Sequence, residues 1–209
     1  MVTGIKQVKA IIEETPALME ILRLIQACHL PQGALAAGSI RNTVWQVLSH
    51  QPVELISDVD VVFFDPQRPV EADLQIYTAL RRQAPQYQWQ VKNEVYMAHY
   101  NFANAPEFTS VSDAIGHFVE VPTCIGAYLD EQQQVQLIAP HGVADLLALR
   151  CRPISFYQQD EQHLAIFRER MATKQWQQRW PKLQLTEKVM KPKTTRLQTQ
   201  RGAFVVSVG

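Results

Sequence analysis

The stretch Ser57-Asp58-Val59-Asp60-Val61-Val62-Phe63-Phe64-Asp65 joins a β-branched and aromatic run to two aspartates that are spaced by one residue. Such a run favours a buried strand over 58–64, which ends at Asp65-Pro66. Because side chains alternate between the faces of a strand, Asp58 and Asp60 are expected side by side on one face. Magnesium typically binds through one or two carboxylates together with substrate phosphates. The stretch therefore predicts a Mg²⁺ (or Mn²⁺) site on Asp58 and Asp60.

A small-residue stretch, Gly33 to Ser39, lies upstream of this strand and leads into a predicted helix over 40–48. The helix is indicated by apolar residues that share one helical face: Ile40, Val44, Val47 and Leu48. Gly38 and Ser39 are therefore expected at a helix N-terminus, where backbone N–H groups favour anions. This predicts a phosphate-binding cradle at Gly38 and Ser39, with Arg41 close enough to touch a phosphate oxygen.

Helical and strand periodicity divides the rest of the chain. A helix capped by Thr15, with Pro16 in its first turn, is expected to run until Leu30-Pro31. The further predicted elements are a helix at 72–82, a strand at 87–97, a helix at 111–118, a hairpin of 124–129 with 135–139, and helices at 143–149 and 158–171. This order predicts an α+β fold in which a mixed β-sheet is flanked by helices, with additional helices towards the C-terminus.

Residues 1–187 are predicted to form a single domain, because no linker or repeat interrupts them. Residues 188–209 are rich in lysine, threonine and glutamine without a period. They are predicted to be a mobile tail, with a short strand at 203–208.

The composition indicates a folded protein without a strong charge bias. Hydrophobic residues make up 46% and charged residues 19%, and 20 basic residues balance 20 acidic ones. A net charge of zero supplies no long-range attraction to nucleic acid or anionic lipid, so a nucleic-acid partner would need a local basic patch.

The chain lacks a signal-like start and an apolar run near the ~18 residues of a membrane span, which predicts a cytoplasmic protein without a membrane partner. Three scattered cysteines argue against a disulfide framework and a thiolate zinc site.

The two motifs, in this order, resemble the start of the polymerase-beta-like nucleotidyltransferase superfamily. More specifically, the chain resembles a bacterial nucleotidyltransferase-like family that was formerly catalogued as a domain of unknown function. Five ordered blocks carry this resemblance: 37–42, 57–65, 91–94, 138–142 and 176–183.

The resemblance implies a nucleotidyltransferase fold with a divalent-metal site. The implied enzyme transfers a nucleoside monophosphate from a nucleoside triphosphate to an unknown acceptor, with Asn42 beside the substrate-binding residues already named. The superfamily's third carboxylate usually stands on a later core strand, and Glu94 is the candidate here. Lys92 has the same strand parity and could bind phosphate, although Lys92 and Glu94 could equally form a surface ion pair.

Three alternatives remain open at the level of sequence. The strand at Asp58 also fits the nucleophile strand of haloacid-dehalogenase-type phosphatases, although that motif normally opens its fold and two predicted helices come first here. A metal-binding Asp-x-Asp also occurs in glycosyltransferases, for which the chain is short. The third alternative is a catalytically inactive nucleotide-binding module of the same fold.

Other conspicuous residues have structural interpretations that outweigh the functional ones. His99 and His141 could act as general bases, but surface or capping roles are favoured. Trp176 and Trp180 are expected in the core rather than as base-stacking platforms. The nearby basic residues are interpreted as a solvated face: Arg168, Arg170, Lys174 and Arg179.

Overall fold

The computed structural model describes residues 2–187, so the predicted tail at 188–209 and its strand at 203–208 lie outside the described residues. The helices are α1 (Val2–Glu13), α2 (Pro16–Ala27), α3 (Gly38–Leu48), α4 (Ala72–Gln83), α5 (Val111–Gly116), α6 (Ala144–Leu147), α7 (Glu161–Lys174) and α8 (Trp176–Arg179). The strands are β1 (Ala34–Ala36), β2 (Val59–Phe63), β3 (Trp89–Asn93), β4 (Gly126–Leu129), β5 (Val135–Ile138), β6 (Arg150–Cys151) and β7 (Gln184–Leu185). Short 3₁₀ helices occur at Glu94–Tyr96, Val121–Thr123 and Ser155–Gln158.

The central sheet is mixed and has the strand order β3-β2-β1-β4-β5. Strand β1 pairs antiparallel with β2 and with β4, β2 pairs parallel with β3, and β4 and β5 form the predicted hairpin. Helices α2 and α3 pack against β1, while α4 packs against β3. This architecture confirms the predicted α+β fold.

The central strand β1 and the first helix α1 were not predicted. Ala34, Leu35 and Ala36 are fully buried, although alanine has low strand propensity. The two alanines and the buried Leu35 lie between two strands and beneath two helices, so packing rather than local propensity accounts for β1. The predicted opening helix is therefore the second helix of the chain.

Strand β3 ends at Asn93, four residues before the predicted end at 97. The Asn93 side chain accepts a hydrogen bond from Val95 N and donates one to Asp65 O at 2.8 Å. These bonds turn the chain into the 3₁₀ helix that begins at Glu94. The prediction that Glu94 lies on the strand is therefore wrong.

The predicted cap of the second helix is also wrong in detail. Thr15 does precede α2, but its hydroxyl donates back to Ile11 O at 2.7 Å and makes no capping bond. Helix α7 starts three residues later than predicted, because Asp160 accepts a hydrogen bond from His163 N and caps it there.

One continuous apolar cluster forms the core. Helix α3 lies inside it, since every residue from Gly38 to Gln46 is buried. Trp45 of α3 packs edge-on against Trp176 and Trp180, with ring centroids 5.5 and 5.0 Å away. The prediction that Trp176 and Trp180 belong to the core is thus confirmed. Within residues 2–187, no helix is both long and apolar enough to cross a membrane.

Candidate active site

A cavity of about 540 Å³ lies beside strands β2 and β3. Its sheet wall carries Asp58, Asp60, Gln90 and Lys92. Strands β2 and β3 are parallel with Asp60 opposite Gln90, so alternate residues of both strands face the same way. Segment 97–108 and helix α7 supply further walls. Both predicted metal ligands therefore face the same cavity.

The two aspartates differ in their surroundings. Asp58 Oδ2 accepts a hydrogen bond from Gln90 Nε2 at 2.7 Å, and Asp60 Oδ1 lies 3.6 Å from Lys92 Nζ. Burial raises the pKa of Asp60, Lys92 opposes this rise, and the neighbouring charge of Asp58 adds to it. A cation between the two carboxylates would relieve that repulsion.

The N-terminus of α3 lies at the edge of this cavity. Ala37, the residue before the helix, lines the cavity and has a φ of 57°, a conformation that costs roughly 1–3 kcal/mol for a residue other than glycine. Ser39 is buried, and its hydroxyl donates to the Asp58 carbonyl at 3.2 Å. The two predicted motifs are thus joined directly, although Gly38 and Ser39 are not themselves on the cavity wall.

Gly38 has no room for a side chain. A Cβ there would lie 2.9 Å from Ser57 Oγ and 3.2 Å from Ser57 Cβ. The absence of a side chain brings the start of α3 against the segment that delivers Asp58.

Glu94 lines the same cavity and is 2% exposed. Burial raises its pKa to about 7, while Lys92 opposes the shift and the charges of Asp60 and Asp73 add to it. Glu94 therefore reaches the cavity from the 3₁₀ helix that follows β3, and not from the strand itself. Among residues 2–187, no three His, Cys, Asp or Glu side chains are grouped closely enough to hold a metal ion. The third-ligand role of Glu94 stays a prediction.

Arg41 and Asn42 lie in the interior rather than on the cavity wall. Arg41 donates to Asn42 Oδ1 through Nε and Nη2 at 3.1 and 2.8 Å, and to Thr123 Oγ1 through Nη1 at 2.8 Å. Its guanidinium carbon also lies 4.0 Å from the centroid of the Trp176 ring. Burial lowers its pKa to about 10. This geometry gives both residues a role in anchoring α3, and it does not support their predicted substrate contact.

Several residues of the site were not singled out in the sequence. Gln90 shares strand parity with Lys92, so its position was within reach of the sequence argument. Arg170 and Lys174 line the cavity from α7, which corrects their interpretation as part of a solvated face. Their spacing of four residues puts them on one helical face, but the sequence does not reveal which face meets the cavity.

The candidate histidines lie away from the cavity wall. His99 Nε2 is 2.7 Å from Glu107 Oε1, and His141 Nε2 is 2.8 Å from the carbonyl of Gly116. Both interactions are on the surface, in agreement with the favoured interpretation.

A family model described as Nucleotidyltransferase matches residues 23–185. The chain belongs to this nucleotidyltransferase family. Among solved structures, the chain is similar to one described as an NMR structure that reveals a CCA-adding enzyme head domain, with a TM-score of 0.79 and 34% identity. That match covers 88% of this chain and 96% of the other. The comparison with curated proteins found no match.

Family and fold confirm the assignment to the nucleotidyltransferases over the two alternative enzyme classes. In open parallel sheets, ligands bind at the carboxyl ends of strands. In this nucleotidyltransferase the sheet is mixed, and Asp58 comes just before the amino end of β2. A phosphatase nucleophile would be expected at the carboxyl end of its strand, whereas Asp58 lies at the amino end of β2.

Proposed function

We propose that the protein transfers a nucleoside monophosphate from a nucleoside triphosphate to an acceptor, with Mg²⁺ (or Mn²⁺) held by Asp58 and Asp60. The observation that carries this proposal is the pair of carboxylates on one cavity wall, linked through Ser39 to the start of α3. Nucleotidyl transfer depends mainly on positioning and charge stabilisation, which such an arrangement can provide.

The side chains present fit a divalent cation of this kind. Two neighbouring carboxylates, one with a pKa raised partly by the other, form an oxygen donor set that magnesium completes with substrate phosphates. When bound, the cation would neutralise developing charge on the phosphoryl oxygens. Gln90 holds Asp58 in position, and Lys92 balances the charge of Asp60.

The remaining roles follow from position. The first turn of α3 leaves backbone N–H groups without helical acceptors. The backbone of Gly38 and Ser39, next to Ala37 at the cavity edge, is therefore proposed to bind the phosphates, although neither residue is itself on the cavity wall. Lys92 supplies a further positive charge at the cavity wall. Glu94 is proposed as the third carboxylate, because it lines the same cavity as Asp58 and Asp60. With a pKa of about 7 it could also accept a proton from an acceptor hydroxyl.

The donor is better supported than the acceptor. The similar solved structure is described as revealing a CCA-adding enzyme head domain, which supports a nucleotide as donor. A net charge of zero does not favour a nucleic-acid acceptor. The acceptor is therefore left unassigned.

The test is a transfer assay with nucleoside triphosphates labelled at the γ-phosphate, in which the release of labelled pyrophosphate is measured with and without Mg²⁺. Asp58→Asn and Asp60→Asn are each expected to lower the rate by at least about 100-fold, since each removes a proposed ligand. Glu131→Gln makes the same change of charge at an exposed turn and should leave the rate unchanged. Unimpaired transfer by both aspartate variants would refute the proposal.

A second candidate function is nucleotide binding without turnover. It is favoured by the lack of a third grouped ligand among the described residues. In that case the wild-type protein would bind a nucleoside triphosphate in a metal-dependent manner, while no acceptor would lead to pyrophosphate release.

A further inference from the structure

Glu120 is a carboxylate with no solvent exposure, and its partner is Arg170 of helix α7. Arg170 Nε contacts Glu120 Oε1, and Nη2 lies 3.4 Å from Oε2. Burial lowers the pKa of Arg170, but the charge and the hydrogen bond of Glu120 outweigh this and raise it. The guanidinium is thus kept charged, and its edge formed by Nε and Nη2 is held by the Glu120 carboxylate.

The other edge of the guanidinium remains available. Arg170 lines the cavity that contains Asp58 and Asp60, and its side chain is 37% exposed. Within residues 2–187, its Nη1 group forms no hydrogen bond. A guanidinium has five N–H donors in a planar fork, so a partner on one edge leaves donors that suit phosphate oxygens.

Lys174 lies one helical turn beyond Arg170 and lines the same cavity. In the described part of the chain it forms no ion pair. Arg168 of the same helix differs, because it pairs with Glu161 and Glu187 on the exposed surface. Helix α7 therefore has a solvent-facing cation that is neutralised and two cavity-facing cations.

The charges on the cavity wall indicate the ligand that these cations favour. Three carboxyl groups, Asp58, Asp60 and Glu94, face three cationic ones, Lys92, Arg170 and Lys174. The buried Glu120, which pairs with Arg170, is a fourth carboxyl group. With all of these groups ionised, one divalent cation brings their net charge to +1, which favours an anionic ligand.

We propose that Arg170, oriented by the buried Glu120 and assisted by Lys174, binds the polyphosphate of the nucleotide donor. This inference rests on the proposed function, since it assigns part of the donor to α7. Arg170 and Lys174 contact the substrate in this arrangement, whereas Glu120 is a positioning residue. Buried ion pairs often do not increase stability. In this arrangement the pair of Glu120 and Arg170 instead orients a substrate-binding group.

The test is calorimetric titration of the full chain with inorganic tripolyphosphate in the presence of Mg²⁺. Arg170→Gln combined with Glu120→Gln removes both charges together, which avoids an unpaired buried carboxylate. This double variant is expected to bind tripolyphosphate at least about tenfold more weakly, the effect of losing one charged hydrogen bond. Arg168→Ala, on the same helix, is the matched control and should bind as the wild type does.

Two further variants separate substrate contact from a structural role. Lys174→Ala changes an exposed side chain, so it tests the proposal even if the double variant does not fold, and about a twofold to fivefold loss is expected. Glu120→Gln alone is expected to raise KM for the donor more than it lowers kcat, because Arg170 remains but is less well oriented. A residue that only supported the fold would change the melting temperature without this split.

The outcomes separate this inference from the proposed function. Tripolyphosphate binding needs no turnover, so binding that depends on Arg170 without any transfer would contradict only the transferase assignment. Wild-type affinity in the folded double variant and in Lys174→Ala would overturn this inference, even if transfer still required Asp58 and Asp60. A wild-type protein that does not bind millimolar tripolyphosphate would overturn it as well.

Discussion

Glu94 is an ionisable side chain kept almost completely from solvent at the wall of a cavity that already holds two other carboxylates. Burial contributes most to its raised pKa of about 7, and the charges of Asp60 and Asp73 add to it. At neutral pH the residue is therefore divided between its two protonation states. A cation in the cavity would favour the ionised state, so metal binding is expected to release a proton.

The first prediction concerns Glu94→Gln in metal-free buffer. The folded pKa of about 7 lies above the ordinary value of 4.5, so the folded state holds the proton more tightly than the unfolded chain. The resulting stability is fully present below pH 4.5 and is lost as the pH rises through 7. Glutamine cannot ionise, so the variant should be more stable than the wild type at pH 8, by about 3 kcal/mol.

Urea unfolding at pH 4.5, 6 and 8 measures this difference. It should be largest at pH 8 and should fade towards pH 4.5. Glu131→Gln, at an exposed position, should show no such trend. A difference between Glu94→Gln and the wild type that is the same at all three pH values would contradict the assigned cause.

Helix α3 is the element that joins the two halves of the site. It begins beside the cavity, its Ser39 hydroxyl donates to the Asp58 carbonyl, and its Gly38 leaves no room for a side chain beside Ser57. The Ser57 hydroxyl is buried and has no hydrogen-bond partner in the described chain. Burying this hydroxyl without a partner costs free energy, and the contact that brings the two motifs together includes this cost.

The second prediction is a pair of substitutions at this contact. Gly38→Ala places a Cβ 2.9 Å from Ser57 Oγ, and such overpacking costs typically 1–3 kcal/mol, more than alanine gains in helix propensity. Ser57→Ala removes the crowding oxygen and a buried hydroxyl without a partner, so alone it should be neutral or stabilising.

A double-mutant cycle by thermal or urea unfolding tests this contact. Ser57→Ala should recover part of the loss caused by Gly38→Ala, because the closest contact is relieved. Strict additivity of the two effects would show that the crowding is elsewhere.

Elements with a clear periodic pattern could be predicted from the sequence. Strand β2, helix α3 and the β4–β5 hairpin each carry their own apolar repeat or turn residues, and all three were placed within a few residues. Strand β1 could not be predicted, because two alanines and one leucine carry no strand signal of their own. The end of β3 depended on hydrogen bonds between Asn93 and Asp65, which are remote in sequence.

At the scale of the whole molecule, the last described segment completes the core around α3. Trp180 is 1% exposed and packs against Trp45, while Trp176 covers the Arg41 guanidinium. Strand β7 then pairs parallel with β6. Residues that are far from α3 in sequence therefore determine how firmly this helix is held.

The third prediction concerns Trp180. Trp180→Ala should lower the free energy of unfolding by about 3–5 kcal/mol, since it removes a large buried ring. Trp180→Phe should cost much less, because the buried indole N–H has no hydrogen-bond partner among residues 2–187 and its loss offsets part of the lost contact area. Lys182→Ala, in the same segment but exposed, is the control for urea unfolding.

Only those residues of the candidate site that are placed by a local sequence pattern could be predicted. Asp58 and Asp60 share a face because strand alternation requires it, and both line the cavity. The interior position of Arg41 was not predictable, because it depends on Thr123 and Trp176, which only the folded chain brings near. The same holds for Arg170, whose orientation is set by Glu120, 50 residues earlier.

The tryptophan cluster also gives the protein an optical reporter of its own. Trp45, Trp176 and Trp180 are three of the four tryptophans in the chain, and their rings cross at 77° and 68°. Indoles this close couple their electronic transitions, and the adjacent Arg41 guanidinium gives Trp176 a polar environment. Near-ultraviolet circular dichroism and intrinsic fluorescence should therefore follow the docking of the last segment on α3 without any added label.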